Sequence, residues 1–206
     1  MLARFYESDT FDRVDADRYD RHRPFLVDLP DCEAQGAKIT RFKVEKGIGH
    51  LRFAFAGRGV PCGEYNRLSI TGERAWMTDT PAELEDAKPF ILSASGEVLI
   101  TGLGLGMVPR AMCHYQRPFT GLTIVEKHAG VIDLVGPTLV DPRIRIIHAD
   151  ALEWRPDRKF DWAWHDIWGD VSTDDHREMA LMTRHYSRHM TAPRRQSVWG
   201  RHLSRR

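Results

Sequence analysis

The chain lacks a cysteine pair at C-x-x-C spacing. Its three cysteines, Cys32, Cys62 and Cys113, are scattered and odd in number. That argues against a disulfide framework or a zinc knuckle, and it leads us to expect a reducing, cytoplasmic setting. Charge of one sign is also lacking. Thirty basic residues stand against 29 acidic ones, a formal net charge of +1, so no global field draws the chain to nucleic acid or a membrane. No stretch reaches the roughly 18 apolar residues that span a bilayer. The opening residues Met1 to Tyr6, followed by Glu7 and Asp9, have no apolar centre of a secretory leader. Internal repeats and low-complexity tracts are missing too. The expectation is a soluble protein of 206 residues, one domain or one domain with a small appendage, long enough to bury a core without staples.

Three parts emerge from the pattern. Residues 1–36 are rich in Asp and Arg of both signs and read as a solvated, charged N-terminal arm. Residues 37–79 read as a small β appendage. Ile39, Phe42 and Val44 sit in one candidate strand, and residues 51–55 alternate cleanly in a second. Residues 65–70 and 73–77 flank Thr71-Gly72, a plausible two-residue hairpin turn. Trp76, Met77 and Asp79 lead into the third part, residues 80–206, with Asp79 either facing a cleft or capping the turn. Thr80, Pro81 and Glu83 have the spacing of a capping box, predicting a helix that runs toward Leu92, is disturbed at Pro89 and stops near Gly96.

The most informative stretch is 97–106, Glu-Val-Leu-Ile-Thr-Gly-Leu-Gly-Leu-Gly, followed by a helix-compatible segment over 107–116. A short apolar run ending in alternating glycines before a helix is the strand, turn and helix start of a nucleotide-binding α/β unit. Glycine there lets backbone pass close to a ligand. A second strand, 121–126, ends in Glu126. That is roughly the 20-residue distance at which such units carry the carboxylate that accepts from ribose hydroxyls. A third strand, 143–148, is closed by Ala149, Asp150 and Ala151, and an acid at its tip can accept from an exocyclic amine of adenine.

The glycine spacing is G-x-G-x-G, unlike the G-x-G-x-x-G of NAD enzymes. Residues 98–106, 123–126 and 148–151 resemble the first three cofactor motifs of class I S-adenosylmethionine-dependent methyltransferases, and within that fold the chain looks closest to the spermidine synthase group. The resemblance implies an α/β, Rossmann-like sheet, here short at the C-terminus, with a small N-terminal β appendage. It implies S-adenosyl-L-methionine, or its decarboxylated form, as cofactor. By the same resemblance Gly102, Leu103, Gly104 and Gly106 contact the methionine part. Glu126, with Lys127, binds the ribose, and Asp150 and Ala151 bind the adenine. Asp166 also borders the cofactor.

The fourth strand reads over 160–170, and its tip crowds His165, Asp166, Trp168 and Asp170 together. Sites in open parallel sheets lie outside the carboxyl ends of strands, so Asp166, His165 and Asp170 are the catalytic candidates. Asp166 or His165 would take a proton from the nucleophile, and Trp168 would wall the acceptor. Aminopropyltransferases carry a D-x-x-x-x-D-x-x-D run at this strand. Asp161 and Asp166 match its first two acids, and Asp170 arrives one residue late for the third. The Asn-Pro-Pro-Tyr-type motif of amino-methylating nucleic-acid enzymes is missing.

Thr173 and Asp174 can cap a helix to about Met190, and 196–199 reads as a fifth strand. His185 and His189 stand at metal-ligand spacing, but no carboxylate–histidine signature accompanies them, so no metal site is expected. The last 23 residues, from Arg184 on, hold many arginines and no acid. They leave a nucleic-acid contact open without making it the expectation. An open sheet edge makes a homodimer plausible. The functional expectation is a methyltransferase acting on a small molecule. The alternatives are an aminopropyltransferase and a non-catalytic module that binds the cofactor.

Overall fold

The computed structural model describes residues 9–46, 59–73, 76–168 and 173–200. Two sheets organise the chain. The first is antiparallel, in the order β1 (Cys32–Ala34), β2 (Ala37–Val44), β3 (Gly63–Ile70), β4 (Trp76–Thr78). The second is parallel and is built from β5 (Gly96–Thr101), β6 (Phe119–Glu126), β7 (Ile144–His148), β8 (Trp162–His165) and β9 (Gln196–Val198). Its spatial order is β7-β6-β5-β8-β9. The direction of progression therefore reverses between β5 and β8, where ligands bind in open α/β sheets.

The central strands β5, β6 and β8 carry short apolar runs because both of their faces are covered. Val98, Ile100, Leu122 and Ile124 pack on one face, with Phe90 and Ile91 of helix α2 (Pro81–Ser93), Met112 of α3 (Met107–His114), and Val131 and Val135 of α4 (Ala129–Val135). Leu99, Val125 and Ala163 point the other way, onto Met179, Met182 and Tyr186 of α5 (Thr173–Ser187). This alternation is the period-two geometry of a strand. Ala37, Ile39 and Leu68 of the antiparallel sheet join the first of these cores. The antiparallel sheet packs closely on helix α4 at Gly130, where an added Cβ would stand 2.1 Å from the carbonyl oxygen of Ala34.

Several expectations need correction. The stretch read as a solvated arm contains helix α1 (Asp9–His22) and a 3-10 turn (Arg23–Phe25), and both are docked. The Tyr19 hydroxyl donates to the Glu64 carbonyl at 3.0 Å, an Asp15 carboxylate oxygen accepts from the Cys62 amide at 2.7 Å, and Phe25 is buried against His114 and Tyr115. Charged residues dominate the composition of this arm, but the few that turn inward find backbone partners. The capping box does not form. Thr80 makes no side-chain cap, and its hydroxyl lies 3.2 Å from that of Thr78. Helix α2 runs through Pro89 to Ser93. Thr71 and Gly72 do occupy a turn, closed by the Glu73 amide donating to the Ile70 carbonyl at 3.1 Å, but pairing begins at Ser69 opposite Trp76, so the connection is longer than two residues. The strand expected at 51–55 lies outside the described residues. Asp79 does not face the cleft. Its buried carboxylate accepts from the amides of Val27 (3.1 Å) and Asn66 (2.6 Å) and from the Asn66 side chain (2.7 Å), tying the N-terminal segment to β3.

Candidate active site

The carboxyl ends of β5, β6, β7 and β8 border one cleft of about 190 Å³. Gly102, Gly104, Glu126, Lys127, Asp150, Ala151 and Asp166, all expected at the site, line it. Leu103 and Gly106 border instead a second cavity of about 40 Å³, which shares Gly102, Gly104 and Asp166 with the first. The Leu103 side chain belongs to the core.

The glycine turn departs from the expected logic at its first position. Gly102 has φ +92°, and a Cβ there would meet the backbone oxygen of Asp166 at 1.9 Å, so the close approach is to the neighbouring strand end rather than to a ligand. The Gly102 amide donates to the Val125 carbonyl at 2.8 Å. These contacts lock the tips of β5, β6 and β8 together.

Glu126 is nearly buried. One of its oxygens accepts from the Leu103 amide at 2.8 Å and the other from the His128 amide at 2.8 Å. The carboxylate thus braces the glycine turn. Each oxygen keeps a second lone pair for a further donor. Asp150 is exposed, and one of its oxygens accepts from the Leu152 amide at 2.8 Å, an Asx turn that fixes the carboxylate at the end of β7. Lys127 and His128 both approach Glu73 of the β3–β4 turn, each at 3.1 Å.

Asp166 comes directly after β8 and lines both cavities. Its amide donates to the Thr101 carbonyl at 2.9 Å, and the Trp164 indole N–H lies 3.3 Å from its carboxylate. Burial pushes the carboxyl up to about 7, against the Trp164 hydrogen bond and with added repulsion from Glu83 and Asp86. A carboxyl poised near neutral pH in a cleft is suited to proton transfer.

His165 is corrected. It is fully buried and does not reach the cleft. Its ring stacks on Tyr186 at 5.0 Å and bonds Thr101 Oγ1 at 3.1 Å and Gln196 Oε1 at 3.2 Å. The Gln196 amide nitrogen is engaged with the Pro193 and Thr183 carbonyls, so its oxygen faces the ring, Nε2 carries the proton and Nδ1 accepts from Thr101. Burial holds this imidazole down at about 4, hence neutral. Strand alternation explains the separation, since consecutive side chains leave a strand on opposite faces. Asp170, the third catalytic candidate, lies outside the described residues. Asp161 sits at the opposite end of β8, where it accepts from the Glu97 amide at 3.0 Å and the Thr191 hydroxyl at 2.8 Å.

The remaining cleft residues carry no mark in the sequence. Leu68, Ile70 and Met77 come from the antiparallel sheet, Glu73 from its β3–β4 turn and Glu178 from α5. The Trp168 indole N–H, at the cleft as expected, donates to Glu178 at 2.6 Å. Nothing in spacing marks Glu178, because its role depends on where α5 docks. The lining acids Glu73, Glu126, Asp150, Asp166 and Glu178 outnumber Lys127 and His128. The cleft therefore favours a ligand with positive charge. His185 and His189 do not form a metal pair. His185 bonds the Trp154 carbonyl, α5 ends at Ser187, and no cluster able to hold a metal occurs among the described residues. Among those residues, no helix is long and apolar enough to cross a membrane.

No protein-family model matches the chain, and no curated protein does. Solved structures do. DhpI in complex with SAM and HEP shares 21% identity over 55% of this chain and 53% of that one, with a TM-score of 0.42. A S-adenosylmethionine-dependent methyltransferase from Clostridium acetobutylicum shares 15% over 53% and 47%, TM-score 0.42. The N-methyltransferase NodS from Bradyrhizobium japonicum shares 14% over 53% and 60%, TM-score 0.42. The chain thus spans about half of the length of these proteins, and a likeness this slight carries no weight for function.

Proposed function

We propose that this protein is a methyltransferase that uses S-adenosyl-L-methionine and acts on a small molecule. The observation that carries the proposal is the gathering of the glycine turn, Glu126 and Asp150, from the ends of three adjacent parallel strands, on one acidic cleft beside the strand-order reversal. The donor set fits the cofactor's chemistry. Two carboxylates with spare lone pairs suit ribose hydroxyls and an adenine amine, and a surplus of acids suits a sulfonium. When bound, such a cofactor supplies a methyl group on a positively charged sulfur.

The chain's own residues supply the rest. Glu126 would hold the ribose while bracing the turn, and Asp150, with Ala151 beside it, would receive the adenine. Asp166, with its carboxyl near 7, would accept the proton of the attacking group. The antiparallel sheet, through Leu68 and Ile70, would exclude water from the acceptor side. A second reading, aminopropyl transfer from the decarboxylated cofactor, draws on that sheet, since a separate N-terminal sheet is what the spermidine synthase resemblance implies.

Calorimetric titration with S-adenosylmethionine, its decarboxylated form, methylthioadenosine and NAD tests both. The proposal expects the intact methionine form to bind best. Preference for the decarboxylated form favours aminopropyl transfer, and preference for NAD overturns both.

A further inference from the structure

The two cavities meet at Met77. This residue of β4 borders the 190 Å³ cleft and the 40 Å³ cavity, together with Gly102, Gly104 and Asp166. Its side chain is seated on the glycine turn. A Cβ built on Gly104 would stand 2.1 Å from the Met77 sulfur and 2.6 Å from its terminal methyl. The contrast with Gly102 is instructive, because there the obstruction is backbone and immovable, whereas at Gly104 it is the far end of an unbranched side chain. Methionine has three rotatable bonds and a polarizable end, so it vacates a position more readily than a branched residue does. Met77 is half-buried at the margin of the core, which leaves it room to turn.

The larger cavity holds Glu126 and Asp150, the acids fitted to a nucleoside. The smaller lies along 102–109, beside the start of α3. A ligand with a nucleoside at one end and an amino-acid tail at the other needs both spaces joined. We propose that Met77 is the gate between them and that it sets the selectivity of the site for the tail, an inference that rests on the cofactor reading above. With Met77 in place its thioether sits over Gly104, where the two spaces meet. Turning the thioether away from Gly104 connects the two. The displacement cost falls on tailed ligands alone.

The test compares adenosine with S-adenosylhomocysteine. By titration, Met77→Ala is expected to raise the ratio of S-adenosylhomocysteine to adenosine affinity about fivefold. In the wild-type protein, the 13C resonance of the Met77 methyl is expected to shift clearly further on adding S-adenosylhomocysteine than on adding adenosine, which fills only the cleft that Met77 borders. The second readout needs no variant, so a poorly folding Met77→Ala does not shelter the idea. Adenosine binding with an unchanged ratio of affinities, or a Met77 methyl that shifts no further with the tailed ligand than with adenosine, overturns the gate and leaves the cofactor reading standing. Failure of the wild-type protein to bind either compound overturns both.

Discussion

The two sheets approach the cleft in different ways. The parallel sheet contributes residues at the very ends of its strands or one position past them: Gly102 after β5, Glu126 at the end of β6 and Asp166 after β8, with Asp150 two positions past β7. The antiparallel sheet contributes Leu68 from within β3, Ile70 at its end and Met77 of β4, with Glu73 from the turn between the two strands. Tips of buried parallel strands hold polar groups rigidly and present them outward, whereas the face of an antiparallel sheet presents a broad apolar wall. The first arrangement suits recognition of a fixed polar ligand. The second can be re-lined without disturbing the first, and so suits discrimination between ligands.

Changing the polar tips sharpens this contrast. The largest effect is expected at Asp166. Asp166→Asn should lower turnover by roughly 100- to 10 000-fold, the usual worth of a positioned base, while cofactor affinity stays within about threefold. In the native protein the rate should climb as pH rises through about 7, because a base acts when deprotonated. Stability runs the other way. Between pH 3.8 and about 7 the folded chain holds a proton that the unfolded chain has lost, so stability falls as pH rises across that window. Thermal melts should therefore show Asp166→Asn more stable than wild type at pH 8 and no better at pH 4. A variant with unaltered turnover would remove Asp166 from the chemistry.

His165, the preceding residue along β8, should behave in the opposite sense. His165→Ala opens a cavity and strands the Thr101 and Gln196 side chains, at a cost of about 2–4 kcal/mol in denaturant unfolding. Turnover per folded molecule should hold within about threefold. The native imidazole titrates at about 4 against 6.5 when unfolded, so between these values the unfolded chain binds the extra proton and stability is lost as pH falls. The variant should lose stability less steeply over that range. A collapse of turnover in folded His165→Ala would erase the distinction between the two neighbours.

Glu126→Gln keeps the shape of the brace but loses its charge. Cofactor affinity should fall about 10- to 100-fold, the worth of hydrogen bonds to a charged group. Because both carboxylate oxygens hold backbone amides, the melting temperature should fall as well, which complete removal of the side chain would exaggerate. The smallest effect is expected at the link between the sheets. Glu73→Gln releases Lys127 from an exposed ion pair and His128 from a 3.1 Å contact, together worth at most about 1 kcal/mol and fading with added salt. A larger, salt-insensitive loss would mean that the sheets depend on this contact far more than their shared core implies.

The same contrast explains what the sequence made legible. All five parallel strands are readable, β5 and β6 as apolar runs with punctuated ends, β7 as an alternating then apolar stretch, β8 within the longer stretch 160–170, and β9 as a short segment near the end of the chain. The tips of β5, β6, β7 and β8 each carry a chemically telling residue. Gly102, Glu126, Asp150 and Asp166 could therefore be named before any contact was known. Alternation along β8 sends His165 and Asp166 to opposite faces, but which of the two reaches the cleft depends on Thr101, Tyr186 and Gln196, drawn from three other elements. Met77 and Glu178 were invisible as site residues for the same reason. A methionine in a strand and a glutamate on a helix carry no signal until the tertiary packing aims them. The docking of α1 has no mark in the sequence, because its composition is that of a solvated face, whereas Asp15, Tyr19 and His22 find partners far along the chain.

The most direct measurement is a parallel calorimetric titration of the wild-type protein and Glu126→Gln with S-adenosylmethionine. The account predicts one site per chain in the wild type and binding at least about tenfold weaker in the variant. Absence of binding to the wild-type protein, or equal affinity in the two, would contradict it.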